Sequence, residues 1–220
     1  INEGDRLVDV RLTDGNLDVM LSTKNGQATR FQEDNVRPMG RDASGVRGIK
    51  LRETDEVVGM VAFARDSEET LVTVCEYGYG KRTKLSEFAA KNRGGLGMIS
   101  VKCSNRNGNV TCVRLAGEDD HLILISNKGK LIRMRAADIS LVGRNTQGVR
   151  LMRLDEGEIV ASIERLADPA EAAEVEVEDS QADLVAPVAE LDGGDTVPVD
   201  MSDAIAKSNE LEDEDEGGEK

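Results

Sequence analysis

The stretch Arg41–Lys50, RDASGVRGIK, is written three times in this chain. Its counterparts are Arg93–Lys102, RGGLGMISVK, and Arg144–Arg153, RNTQGVRLMR. Anchored on glycine, Gly45, Gly97 and Gly148 stand 52 and then 51 residues apart, and the leading arginines keep that spacing. Outward from this stretch, Gly26, Gly78 and Gly129 share the register, as do Arg30, Arg82 and Arg133. Several positions in one frame, at a period near 50 residues, mark stacked or radial supersecondary units.

Each unit reads as four short strands. In the first, Asp18–Ser22 and Gln27–Phe31 flank Lys24-Asn25-Gly26, and Asn-Gly is a strong hairpin signal. A loop with Pro38 and Gly40 leads to a third strand over Gly45–Leu51 and a fourth over Val57–Phe63. The second unit repeats this as Thr70–Cys75, Lys81–Lys84, Gly97–Cys103 and Val110–Leu115. The third gives His121–Ser126, Lys130–Arg135, Val149–Leu154 and Ile159–Leu166. Leu85–Ala90 and Ala136–Ile139 are expected to form helical turns. The pattern predicts an all-β, propeller-like repeat of four-stranded blades spanning about 18–63, 69–115 and 120–166 within a domain at 1–167. Ile1–Leu12 matches Leu51–Met60 at Glu3/Glu53, Asp5/Asp55 and Val8/Val58, so it reads as the remnant of a preceding blade in a longer protein.

Charge divides the chain. The formal net of −15 comes from the tail, Asp168–Lys220, which holds 19 Asp or Glu against 2 Lys. Residues 1–167 hold 24 acidic and 26 basic residues, a net of +2. The tail ends in Glu210–Glu216, ELEDEDE, and lacks sustained periodicity, a composition that predicts disorder. No apolar run is long enough to suggest a membrane span. Cys75, Cys103 and Cys112 fit neither a zinc spacing nor a disulfide framework, which favours a cytoplasmic setting.

Catalytic signatures do not emerge. His121 is the only histidine and has no triad-like company, and no glycine-rich stretch ends as a phosphate loop does. Recurrent cations remain: Arg30, Arg82 and Arg133 on second strands; Arg41, Arg93 and Arg144 in loops; Lys50, Lys102 and Arg153 beyond them. Arg37, Arg47, Lys81, Lys84, Lys91, Lys128, Lys130, Arg135 and Arg150 lie nearby. If the units pack radially, such cations line one rim, and phosphate contacts along it add by counterion release without reading bases. The candidate DNA-binding set is Arg30, Arg41, Arg47, Lys81, Arg82, Lys84, Lys91, Arg93, Arg133, Arg135, Arg144 and Arg150. A protein-binding scaffold is the competing reading, and the scarcity of aromatic anchors speaks against it.

The runs VRPMGRDASGVRGIKL, YGYGKRTKLSEF and ISLVGRNTQGVRLMRL resemble the C-terminal domain family of the bacterial DNA gyrase A protein over about Ile1–Leu166. The resemblance implies a β-pinwheel around which duplex DNA wraps, of which this chain holds the last three blades and a remnant. It also implies a chromosome-associated parent: a type II topoisomerase introducing negative supercoils, with the gyrase B protein as partner in an A2B2 assembly. ATP and Mg2+ then serve the parent through gyrase B and the cleavage domain, and no cofactor is expected in this chain. The family's Gln-Arg-Arg-Gly-Gly-Lys-Gly box is matched only in degenerate form by Lys91-Asn92-Arg93-Gly94-Gly95-Leu96-Gly97, and its nucleophilic tyrosine belongs to a region absent here. This piece alone is therefore expected to be inactive. The corresponding C-terminal domain of topoisomerase IV is the nearest alternative. The acidic tail is expected to compete with DNA for the basic rim.

Overall fold

The computed structural model describes residues 4–166. Eleven strands fill this span among the described residues. The first unit contributes β1 (Asp18–Thr23), β2 (Gln27–Gln32) and β3 (Val57–Phe63). The second contributes β4 (Thr70–Cys75), β5 (Tyr79–Lys84), β6 (Met98–Ile99) and β7 (Val110–Ala116). The third contributes β8 (His121–Ser126), β9 (Leu131–Arg135), β10 (Val149–Arg150) and β11 (Val160–Leu166). Short 3-10 turns follow each second strand at Glu33–Asn35, Leu85–Glu87 and Ala136–Asp138.

The sheets do not follow the units. Their strand orders are β3-β1-β2-β6, β10-β5-β4-β7 and β11-β8-β9. The third strand of the second unit therefore completes the first unit's sheet, and that of the third unit completes the second's. This corrects the expectation that each unit keeps its own third strand. A hairpin with a bare edge leaves backbone donors and acceptors open. Here the following unit closes that edge: Gln27 and Ala28 face Ile99 and Met98, while Tyr79 and Gly80 face Arg150 and Val149. It is also why β5 begins at Tyr79, inside the glycine-rich stretch read as a turn. Among the described residues the donor over Val46–Arg47 has no such acceptor and forms no strand, and β9 has no donor. Residues 5–12, expected to end a preceding blade, likewise form no strand and pair with no sheet among the described residues. The acidic tail at 168–220 lies outside the described residues.

Close approach at the crossover requires glycine. Gly97 and Gly148 have φ of +74° and +77°, and a Cβ there would lie 2.7 Å from the Ala28 carbonyl oxygen and 2.6 Å from that of Gly80. On the acceptor side, a Cβ on Gly26 or Gly78 would meet the carbonyl oxygens of Val101 or Met152 at 2.3 and 2.4 Å. Gly45 and Gly129 keep the positive φ with nothing within 4 Å.

The cores lie between units. Met20, Val61, Phe63, Leu71, Leu85, Phe88 and Val113 join the first to the second. Val72, Val74, Leu122, Leu124, Ile139 and Ile163 join the second to the third. Neighbouring residues of β4 thus feed opposite cores, and all six of its residues are buried. Each such apolar side chain contributes about 1.5–3 kcal/mol on burial, so lateral contact supplies what a lone sheet lacks. In the third unit a polar clasp fixes the turn into β11. Buried Glu158 accepts from Ser126 Oγ at 2.5 Å, Lys130 Nζ at 3.0 Å and the Asp155 backbone N–H at 2.8 Å. These donors push its carboxyl down to about 2.

Two outcomes follow from this geometry. Gly45→Ala carries only the left-handed backbone cost, about 1–2 kcal/mol, whereas Gly148→Ala adds a clash of about 1–3 kcal/mol with the Gly80 backbone. Urea unfolding should therefore rank Gly148→Ala clearly below Gly45→Ala; equal values would refute the crossover as the constraint. The Glu158 carboxyl titrates near 4.5 when unfolded and near 2 when folded, so its contribution is present above 4.5 and lost as pH falls towards 2. The stability difference between the native chain and Glu158→Gln, followed by circular dichroism, should shrink across that interval.

Candidate nucleic-acid interface

The second-strand arginines point across the junctions. Arg30 on β2 donates Nε to Asp18 Oδ2 at 2.6 Å and Nη1 to the Leu85 carbonyl at 2.9 Å, with its guanidinium 5.0 Å from the Phe63 ring centroid. Arg82 on β5 repeats the move, donating Nε to the Ile139 carbonyl at 3.0 Å, and its side chain is only 5% exposed. Arg133 makes no such junction contact among the described residues; it lies exposed and donates to His121 Nδ1 at 3.2 Å. Leu85 opens its 3-10 turn, and its carbonyl also accepts from Phe88 N at 3.0 Å, while Ile139 is the residue that closes the turn at Ala136–Asp138.

The loop arginines also join units. Arg93 donates Nε to the Asn35 carbonyl at 2.8 Å and Nη1 to the Arg47 carbonyl at 3.1 Å. Arg144 donates Nη1 to the Ile99 carbonyl at 3.0 Å, and its guanidinium stands 5.9 Å from the Phe88 ring centroid. Both are half-buried, while Arg41 is exposed. Lys81 is completely buried, its Nζ donating to the carbonyls of Gly143 and Arg144 at 2.8 and 2.6 Å and to Thr146 Oγ1 at 3.1 Å. Burial pushes its amine down to about 8.

The candidate set thus splits. Lys81 and Arg82 are corrected from the expected rim: buried and spent on backbone carbonyls, they cannot reach a phosphate in this conformation. Arg30, Arg93 and Arg144 hold neighbouring units together and offer at most part of a guanidinium. Arg135 is exposed but paired with Asp138 at 3.0 Å, which raises its own pKa and lowers that of Asp138. Arg41, Arg47, Lys84, Lys91 and Arg150 are exposed, as are Lys50 and Lys102 of the periodic set. The structure brings two stretches together: Arg93 reaches the Arg47 carbonyl, Gly94 N donates to Gly48 O at 2.6 Å, and Lys50 N donates to Gly95 O at 2.8 Å. Arg47 and Lys50 of the first unit are thereby set beside the Arg93–Gly95 loop of the second. Arg106, which the periodic reading missed, is exposed beside Tyr79; the only clue in the sequence is its place before the Asn107-Gly108 turn.

Among the described residues no cluster of His, Cys, Asp and Glu could hold a metal ion. No helix there is long and apolar enough to cross a membrane.

Arg82→Ala should destabilise the chain by about 1–3 kcal/mol by orphaning buried polar groups, and Arg133→Ala by no more than about 0.5 kcal/mol. Thermal unfolding of the two variants checks this; an equal loss would mean that the junction contact is not what Arg82 provides.

Comparison with known proteins agrees with this architecture. A family model described as DNA gyrase C-terminal domain, beta-propeller, matches residues 17–64, 76–112 and 120–167. The DNA gyrase A protein of Haloquadratum walsbyi is 46% identical over 160 residues, covering 73% of this chain and 19% of the relative. That of Klebsiella oxytoca is 41% identical over 210 residues, covering 96% and 23%. The chain thus spans about a fifth of the length of these relatives. Among solved structures, the C-terminal domain of DNA topoisomerase IV superposes with a TM-score of 0.75 at 27% identity, covering 82% of this chain and 56% of that one. The C-terminal domain of DNA gyrase A superposes at 0.65 with 30% identity, covering 69% and 51%. The topoisomerase IV domain matches better in shape and the gyrase domain in sequence. With the family model covering more than half of its residues, the chain belongs to the DNA gyrase C-terminal beta-propeller family.

Proposed function

We propose that this chain is a DNA-binding and DNA-wrapping module, serving negative supercoiling by a parent gyrase. The observation that carries this reading is the set of exposed cations left over after the junctions are satisfied: Arg41, Arg47, Lys50, Lys84, Lys91 and Lys102. None forms an ion pair among those found in the described residues. Each phosphate contact releases condensed counterions, so affinity accumulates with each cation engaged, without base readout. A duplex following successive units bends, and its elastic cost is offset by further contacts. In the parent, such a bend presents a neighbouring segment to the cleavage gate with fixed handedness. The relatives' name, DNA gyrase A, supports that setting. By the same reading gyrase B is the parent's partner, ATP and Mg2+ are used there, and this piece alone is inactive in strand passage. Competition by the acidic tail belongs to this proposal too.

Duplex affinity measured over a series of salt concentrations tests the reading. Binding should weaken steeply with salt, and Arg41→Gln, Lys84→Gln and Lys91→Gln should each reduce the log–log slope by up to about 0.9. Ligation of nicked plasmid in the presence of the chain should shift the linking number if the duplex is wrapped. A flat salt response with no topoisomer shift would overturn the proposal.

A further inference from the structure

An open groove between the second and third units carries Tyr77, Tyr79, Arg106, Arg150 and Arg153 on its walls. Tyr79 forms its floor, only 6% exposed. The Arg106 guanidinium stands 4.8 Å from the Tyr79 ring centroid and that of Arg150 stands 5.2 Å away. Arg150 Nη2 also donates to the phenol oxygen at 2.7 Å. Hydrogen bonds from Arg106, and then from Arg150, hold the phenol's pKa below its usual value. The groove's own acids do not balance these cations: Asp155 and Glu158 are both engaged by Lys130, at 3.1 and 3.0 Å. Arg106, Arg150 and Arg153 form none of the ion pairs found in the described residues. Like charges gathered on one ring repel one another, and an arriving anion relieves that cost.

Strand exchange builds this place. Arg150 rides on β10, donated by the third unit, and stands directly opposite Tyr79 in the register. At the preceding junction the corresponding pair is Ile99 and Gln27, with neither cation nor ring. Arg47 shares the register of Arg150, but among the described residues only Arg150 stands opposite a tyrosine.

We propose that this groove is a phosphate-binding subsite that seats one backbone phosphate of duplex DNA, with Arg106 and Arg150 closing on it over Tyr79. This rests on the DNA-binding reading above. Two guanidiniums offer charge-assisted donors, and the phenol O–H, whose oxygen already accepts from arginine, offers a third. All three address phosphate oxygens, so the subsite sets the register of the duplex and reads no sequence.

The test compares the full chain with Arg106→Gln/Arg150→Gln, both at exposed positions, in duplex binding across a salt series. The double variant should bind about tenfold more weakly and lose about 0.9 from the salt slope, with an unchanged melting temperature. Tyr79→Phe should weaken binding without altering the slope, since no charge is removed. Should the double variant misfold, Arg106→Gln alone carries the same expected sign. Native binding with an unaltered double variant would sink the subsite and leave the broader DNA-binding reading intact. Absence of salt-dependent binding by the native chain would sink both. A second arm raises the melting temperature with pyrophosphate: if that stabilisation needs Arg106 and Arg150 while duplex affinity does not, the groove takes free polyphosphate, and the DNA assignment fails.

Discussion

A two-residue strand crossing from one repeat into the sheet of its predecessor is the contact on which this architecture turns. A three-stranded unit presents a row of backbone donors and acceptors at its edge, which must be paired, covered or left to water. β6 and β10 pair that edge and in doing so fasten consecutive units. The remaining junction chemistry collects around the crossing. Glycines let two backbones approach, apolar faces meet beneath them, and arginines reach over to 3-10 turn carbonyls. Hydrogen bonding and apolar burial are thus satisfied at the same place, between repeats and not within them.

This arrangement changes what the repeated arginines mean. A register of Arg at fixed spacing reads from sequence as a track for a polyanion. In the fold, Arg30 and Arg82 occupy equivalent sockets and bind carbonyls of the next unit, and Arg93 and Arg144 bind carbonyls of the preceding donor segment. Periodicity reports contacts that recur, and the contacts that must recur in an array are those between its members. A ligand-facing cation is under no such obligation. Arg106 illustrates the difference, since Thr54 stands in its register 52 residues earlier, and Arg150 is matched by Ile99 one repeat back although Arg47 matches it two repeats back.

Much of the fold was legible. The Asn25-Gly26 turn, the alternating strands such as His121–Ser126 and the repeat period located nearly every element within a few residues. Strand ownership was not legible, because Met98–Ile99 pairs with a hairpin some seventy residues earlier and nothing local to either segment names its partner. The candidate site was read less well for a related reason. Lys81 looks like any surface lysine in a polar run, and its burial depends on three oxygen atoms delivered by Gly143, Arg144 and Thr146. Charge is visible in a sequence, whereas the desolvation of that charge belongs to the assembled junction.

The Val46–Arg47 segment and the bare edge of β9 give the array a direction. The second and third units each offer a strand towards the unit before, and the first and second each receive one from the unit after, so the two faces of a unit are chemically unlike, as in a polar filament. One grammar of joint serves any number of members, and gaining or losing a repeat rewrites a single seam. Evolution can therefore tune the length of such a surface without redesigning its interior.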